Sequence, residues 1–397
     1  MHFFWSYLMF FKKKIAVIGS TGSIGTTTLK IIKKYPNLFN VELLACNKSL
    51  KKLISQIKLF SPKYIFISDI LAREKFKKLY SFKNIKLIEN FDCFSKIFKK
   101  HYQFDKVILG ASSMDGLKYS FEFINYSKEI LVANKESIIC GGNVLLKAAK
   151  KLNCKISSID SELYSLSQLL LYSDYQNIDT VYLTASGGPF LGKKKKSYMK
   201  SSVRLVTNHP RWLMGKKISV DSSTMVNKIF EVIETHILFR IPFNKIKIKI
   251  HKESLVHSVV IFKNGFVKAG MHDTSMEIPI RNSLFENGFS LQKQNFFKNK
   301  NLVTFNFNEI QLSEFPILKT GLKIINLGHA AWILFNVIND ELVKKFLNKQ
   351  IFYYEIVKNL NKIFLKKNVL SYCKKKISTF DDIEKAINFG LKEFKIL

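Results

Sequence analysis

Residues 15–32 read IAVIGSTGSIGTTTLKII, and the change of texture halfway along this stretch sets the fold. Ile15 to Ile18 have the make-up of a buried strand, TTTLKII has helical spacing, and GSTGSIG therefore lies at a strand-to-helix turn. Gly19, Gly22 and Gly25 allow that turn to be tight. They also let a pyrophosphate approach the helix N-terminus, where free N–H groups and the helix dipole favour anions. A glycine triplet alone also suits a merely structural turn, but its position after the first strand points to dinucleotide binding. Outward from it, VELLA, KYIFIS, IKLIE, KVILGAS and EILVAN repeat the strand theme, with helical stretches such as LAREKFKKLYSF between them. That alternation is the βαβ rhythm of a parallel sheet.

Composition bounds the rest. A chain of 397 residues, 47% of them hydrophobic, exceeds one core and predicts two or three domains. With 13% aromatic residues and only 7 Pro and 17 Gly, long disorder and collagen-like repeats are excluded. The apolar opening MHFFWSYLMFF is too short to span a bilayer and carries its lysines on the wrong side for an export signal. Five scattered cysteines form no CxxC pair, so neither a disulfide framework nor a zinc site is indicated. These features describe a soluble cytoplasmic protein with no membrane partner. The net charge of +34 raises nucleic acid as a partner, yet only five of the 64 basic residues are arginine, the side chain that forks onto phosphates and bases. The lysine excess is spread along the chain, and no specific nucleic-acid partner is expected.

In NAD-binding relatives of this fold an acid at the end of the second strand takes the ribose 2′-hydroxyl. Here VELLA ends in Cys46, Asn47 and Lys48, so nothing repels a 2′-phosphate and Lys48 can attract one, unless it is simply one more surface lysine. The expected architecture is α/β, with an N-terminal Rossmann-like NADP-binding domain over 1–154 and a central α+β catalytic domain over 155–287. A lysine- and asparagine-rich linker over 288–312 and a C-terminal helical domain over 313–397 complete it.

Polar, glycine-bearing segments concentrate beyond residue 155. Asp160 and Glu162 follow the strand KISSI and share a side if the chain stays extended, a usual start for a hard divalent cation. Spacing alone does not separate this from an exposed acidic turn. In DSSTMVNKIFEVIETH, Ser222 to Thr224 can cap a helix that sets Thr224, Asn227, Lys228 and Glu231 on one face and Met225, Ile229, Val232 and Ile233 on another. Such a helix suits a phosphorylated substrate beside a metal, or is an ordinary amphipathic surface helix.

GSTGSIG, ANKES at 133–137, DSE at 160–162, TASGGPF at 184–190 and HPRWLMGKKISVDSSTMVNK at 209–228 with Glu231 occur together and in order. In this the sequence resembles the 1-deoxy-D-xylulose 5-phosphate reductoisomerase family over nearly its whole length. The resemblance implies rearrangement and NADPH-dependent reduction of 1-deoxy-D-xylulose 5-phosphate to 2-C-methyl-D-erythritol 4-phosphate, with Mg²⁺ or Mn²⁺, by a homodimer. It assigns Asp160, Glu162 and Glu231 to the metal, and Lys135 with Ser161 to the substrate beside it. Ser186, His209, Ser222, Asn227 and Lys228 would surround the substrate, several of them its phosphate. Thr21, Gly22, Ser23, Ile24, Asn134, Glu136 and Gly215 match NADPH-contacting positions, and Trp212 and Met214 lie in the stretch that closes over the substrate. His209 is a general acid or a clamp, and His257 reads as a packed strand residue.

Three departures stand out. Cys46-Asn47-Lys48 replaces the family's usual Gly-Lys-Asn, Leu163-Tyr164 replaces His-Asn, and Glu277 stands where Arg is common, in a region of subunit contacts. Competing readings are weaker. A semialdehyde dehydrogenase needs a nucleophilic cysteine paired with histidine, and Cys140 and Cys154 lack that setting. A nucleic-acid binder needs an arginine and aromatic pattern that is missing, and an inactive family member would not keep every matched position.

Overall fold

The computed structural model describes residues 11–98, 103–111, 114–194, 197–212, 214–285 and 304–396. Two compact units emerge, the first formed by Met1–Ser137, Leu145–Asp160 and Met276–Phe289, the second by Ile138–Val144, Ser161–Ser275 and Ser290–Leu397.

The first unit is built on seven parallel strands: β1 (Lys13–Ile18), β2 (Phe39–Cys46), β3 (Tyr64–Ile67), β4 (Lys86–Ile88), β5 (Phe104–Leu109), β6 (Ser127–Val132) and β7 (Lys155–Ser158). They run in the order β4-β3-β2-β1-β5-β6-β7. Ile15–Ile18 and Leu43–Cys46 are buried, as expected of central strands covered on both faces. Helices α1 (Ser23–Lys33), α2 (Leu50–Phe60), α3 (Ile70–Leu79), α4 (Cys93–Ile97), α5 (Met114–Phe123) and α6 (Lys135–Lys151) alternate with the strands. Strand order reverses at β1, between β2 and β5, and the carboxyl ends flanking such a switch form the ligand crevice of these sheets. Gly19 lies there with φ +81°, and a Cβ on it would come within 2.7 Å of the Gly110 backbone at the end of β5. A Cβ on Gly25 would meet the Gly19 carbonyl at 2.4 Å, so close packing of helix on strand requires glycine at both places.

The second unit holds α7 (Ser161–Leu169), β8 (Ile178–Ala185), α8 (Val203–Thr207), α9 (Lys216–Thr224), α10 (Val226–Phe239), β9 (Ile246–Ile250), β10 (Val256–Phe262) and β11 (Val267–Met271). Helix α11 (Glu277–Phe285) returns to the first unit, where Phe285 meets Tyr35 and Phe39 edge-on at 4.9 and 5.0 Å. After β12 (Asn308–Glu309), the second unit ends in α12 (Ile317–Leu327), α13 (His329–Leu347), α14 (Tyr353–Ile363), α15 (Lys367–Cys373) and α16 (Phe380–Lys395). Its mixed sheet runs β11-β10-β8-β9-β12. Among the described residues no helix is long and apolar enough to cross a membrane.

The α/β class and the order of architectures agree with the sequence, while several expectations are corrected. The first unit extends to Asp160 rather than 154, because Lys155–Ser158 pairs in parallel with β6 as the last strand of its sheet. Residues 277–285 rejoin that unit, and the C-terminal helices cluster with Ser161–Ser275 instead of standing apart. Of the expected linker, 288–303 lies outside the described residues, while Asn308 and Glu309 pair with β9. The opening ten residues are likewise outside. Asp160 and Glu162 are not on an extended strand, since α7 begins at Ser161 and puts Glu162 in its first turn. Nor does Ser222 cap the helix carrying Glu231. It lies in the last turn of α9, which Met225 ends in a left-handed conformation (φ +69°) before α10 begins at Val226.

One further break shapes the second unit. Helix α6 loses helical geometry at Gly142 (φ +48°), and the His329 Nε2–H donates to the Ile139 and Cys140 carbonyls at 3.1 and 2.9 Å. Without that ring the carbonyls freed by the break would be buried unpaired.

Candidate active site

The glycine loop behaves as its spacing predicts. Gly22 is the N-cap of α1 with extended backbone and no capping side chain, and Ser23 and Ile24 open the first turn, so its N–H groups are presented to an incoming anion. Thr21 precedes the cap, and its carbonyl accepts from Lys52 at 3.4 Å. At the end of β2, Cys46 is buried and its thiol is pushed up to about 12 by desolvation, which makes it a packing residue. Asn47 donates to Ser68 Oγ at 3.0 Å, and the exposed Lys48 pairs with Asp69 at 3.4 Å. The sequence missed Asp69, which lies beyond the neighbouring strand β3 and also caps α3.

At the start of α6, Asn134 is the N-cap, its Oδ1 accepting from the Ser137 N–H at 2.7 Å and its Nδ2 donating to the Ala111 carbonyl at 2.7 Å. Lys135 and Glu136 follow, both buried, and Lys135 Nζ reaches Asp160 Oδ2 at 2.9 Å. Asp160 has a side chain only 11% exposed. Ser161 donates from Oγ to Glu162 Oε2 at 2.5 Å.

Glu231, at 0% exposure, comes from the second turn of α10 and accepts from Asn227 and Lys228 of the same helix. Lys228 also meets Glu162 Oε1 at 3.2 Å and donates to the Thr184 carbonyl at the end of β8. Asp160, Glu162 and Glu231 each offer an oxygen, and these atoms lie within 4.8 Å of one another. Like charges at that separation repel unless cations intervene. Lys135 and Lys228 supply part of that charge in this structure, and the donor set, all oxygen and without cysteine or histidine, fits a hard divalent cation.

A second cluster is assembled around Ser186. His209 Nδ1 accepts the backbone N–H groups of Arg211 and Trp212 at 3.2 and 3.0 Å, so the ring proton resides on Nε2, which donates to Ser186 Oγ at 3.0 Å. The Gly188 N–H donates to the same oxygen at 3.2 Å, leaving the Ser186 hydroxyl proton to point away from both donors. Burial pushes the His209 pKa down to about 4. Ser222, half-buried in the last turn of α9, makes no hydrogen bond from Oγ among the described residues. Gly215 is the exposed N-cap of α9. Trp212 packs edge-on to His257 at 5.9 Å, and the buried His257 stacks on His272 at 3.7 Å. In place of the His-Asn of the resembled family, Leu163 is wholly buried and Tyr164 nearly so on α7. Glu277 pairs with Lys34 at 3.8 Å.

The family model for 1-deoxy-D-xylulose 5-phosphate reductoisomerase matches residues 15–142, that for its C-terminal domain matches 156–239, and a DXP reductoisomerase C-terminal domain model matches 271–389. The 1-deoxy-D-xylulose 5-phosphate reductoisomerase of Pelagibacter ubique is 40% identical over 88% of this chain and 90% of its own length. That of Sulfurihydrogenibium is 34% identical over 95% and 97%. Among solved structures, DOX-P reductoisomerase in complex with NADPH, fosmidomycin and magnesium aligns with a TM-score of 0.87 at 28% identity, over 97% of this chain and 98% of that one. The Zymomonas mobilis reductoisomerase in complex with NADPH aligns at 0.83 with 25% identity, over 97% and 99%.

Proposed function

The chain belongs to the 1-deoxy-D-xylulose 5-phosphate reductoisomerase family, and we propose that Asp160, Glu162 and Glu231 hold the divalent cation with which it performs the family's reaction. That reaction converts 1-deoxy-D-xylulose 5-phosphate to 2-C-methyl-D-erythritol 4-phosphate with NADPH, in non-mevalonate isoprenoid precursor biosynthesis. When bound, Mg²⁺ or Mn²⁺ supplies Lewis acidity to the substrate's carbonyl and adjacent hydroxyl, and NADPH supplies the hydride that reduces the rearranged aldehyde.

The residues of the chain divide the remaining work. Lys135 holds the Asp160 carboxylate in place and, with Ser161, contacts the substrate beside the cation. Lys228 and Asn227 orient Glu231. Ser186, with its proton turned outward, donates to a phosphate oxygen together with Ser222, with Asn227 and the positive charge of Lys228 beside them. His209 is the clamp of that group rather than a general acid, because its buried ring is neutral at physiological pH and its one proton is committed to Ser186. The loop bearing Trp212 closes to keep water from the intermediate. NADPH lies along Thr21, Gly22, Ser23 and Ile24, with Asn134 and Glu136, and Asn47 and Lys48 face its adenosine end, Lys48 meeting the 2′-phosphate.

The observation that carries this reading is the oxygen-only triad within 4.8 Å. The chain incubated with 1-deoxy-D-xylulose 5-phosphate, NADPH and Mg²⁺ yields 2-C-methyl-D-erythritol 4-phosphate, identified by NMR of the product; unchanged substrate would remove the assignment. We further propose a cytoplasmic homodimer. Its support is the open face of the second sheet, where Val267 and Met271 are exposed beside the half-exposed Val259 and Ile261, an apolar strip suited to a second copy. Light scattering at micromolar concentration giving one chain's mass would contradict it.

A further inference from the structure

Ser222 lies between two residues that the C-terminal helices hold. Before it, Asp221 is buried (2% exposed), accepts from Asn339 Nδ2 of α13 at 2.8 Å, and shares Lys217 with Asp340 of the same helix at 2.8 and 2.9 Å. After it, Ser223 is also buried, accepts from the Tyr353 hydroxyl of α14 at 3.1 Å, and passes its own proton to the Val220 carbonyl at 2.7 Å. The direction of this chain is fixed, since a carbonyl can only accept. Tyr353 touches the other phosphate-side loop as well. Its ring lies 5.2 Å from Phe190, four residues beyond Ser186, and a Cβ on Gly188 of that loop would come within 3.2 Å of Ser223 Cα.

We infer that Tyr353 and Asn339 are positioning residues for the substrate's phosphate group, acting through Ser223 and Asp221 to set the Ser222 hydroxyl. The inference rests on the reading of Ser222 as a phosphate contact. It gives the C-terminal helices a part in substrate affinity: their buried polar groups are spent on the two neighbours of one ligand-facing serine, and Ser222 itself is left open. Polar partners so far from solvent fix one geometry, because any other leaves them unpaired.

The test is steady-state kinetics of the full chain at saturating Mg²⁺ in a double-mutant cycle. Tyr353→Phe keeps the ring and its contact with Phe190 and removes one hydrogen bond. It should raise the KM for 1-deoxy-D-xylulose 5-phosphate about 3–10-fold, with the KM for NADPH and the melting temperature nearly unchanged. Asn339→Leu, close in size, should act in the same direction. In a Ser222→Ala background, Tyr353→Phe should change the substrate KM less than about twofold, since the group it positions is gone. A Tyr353→Phe enzyme with unaltered KM, or one whose effect is the same in both backgrounds, overturns the inference while leaving the Ser222 reading intact. A Ser222→Ala enzyme with unaltered KM overturns both.

Discussion

Replacing Glu231 by Gln separates the chemistry of the carboxylate cluster from its structural role. The side chain is wholly buried, and its two oxygens accept from Asn227 and Lys228. Glutamine keeps the volume but places an amide donor against one of two donors and removes the charge facing Lys228. Stranding a buried ammonium completely costs roughly 3–5 kcal/mol. Here Lys228 retains Glu162 at 3.2 Å and the Thr184 carbonyl, so the loss should be nearer 1–3 kcal/mol, or about 2–10 °C in the melting of a unit of this size. Catalysis should suffer far more. One of three anionic ligands disappears, and Lewis-acid stabilisation of several kcal/mol goes with it, which at 1.36 kcal/mol per decade is on the order of a thousandfold in kcat. The assays are far-UV circular dichroism for folding, NADPH fluorescence quenching for cofactor binding, Mn²⁺ paramagnetic resonance for the metal, and NADPH oxidation for turnover. A folded protein that binds NADPH, binds Mn²⁺ weakly and has lost turnover is expected. More than a tenth of wild-type turnover, with unchanged Mn²⁺ affinity, would refute the assignment of Glu231.

Three other outcomes follow from the geometry. Lys48→Ala should raise the KM for NADPH more than that for NADH, although the ion pair with Asp69 is exposed and its loss alone costs little stability; equal changes would exclude Lys48 as the 2′-phosphate partner. The His209 ring, held near 4 by burial against about 6.5 in an unfolded chain, should show no titration between pH 5.5 and 8 by NMR. The sign is that of a depressed pKa: the unfolded chain takes up the proton first, so stability present above about pH 6.5 is lost as pH falls towards 4. Gly142→Ala should destabilise the chain by about 2–4 kcal/mol in urea unfolding, since φ is +48° and the new Cβ would lie 2.5 Å from the half-buried His329 ring; a neutral substitution would show that the helix break relaxes.

Much of this was readable before the structure, for identifiable reasons. The glycine loop and its sheet were legible because strand, turn and helix periods follow one another within twenty residues, and Gly19 and Gly25 stand where a Cβ cannot fit. Asp160, Glu162 and Glu231 were grouped through a mixture of spacing and resemblance, and their carboxylates do converge, but part of the spacing argument was wrong. Glu162 faces its partners from a helix's first turn, not from an alternating strand, and Ser222 closes one helix instead of capping the next. The second error has an identifiable cause, that a left-handed residue such as Met225 leaves no periodic trace in sequence. The ties of Asp221 to Asn339 and of Ser223 to Tyr353 span 118 and 130 positions, and no local pattern announces such pairs. Asp69 beside Lys48 escaped for the same reason, lying on the loop after a neighbouring strand.

The central claim, a metal-dependent NADPH reductoisomerase whose cation is held by Asp160, Glu162 and Glu231, is tested most directly by following absorbance at 340 nm with 1-deoxy-D-xylulose 5-phosphate. Turnover should stop when EDTA is added and resume with excess Mg²⁺ or Mn²⁺, with one NADPH oxidised per product formed. Sustained turnover in EDTA, or none with substrate, NADPH and Mg²⁺ all present, would contradict it.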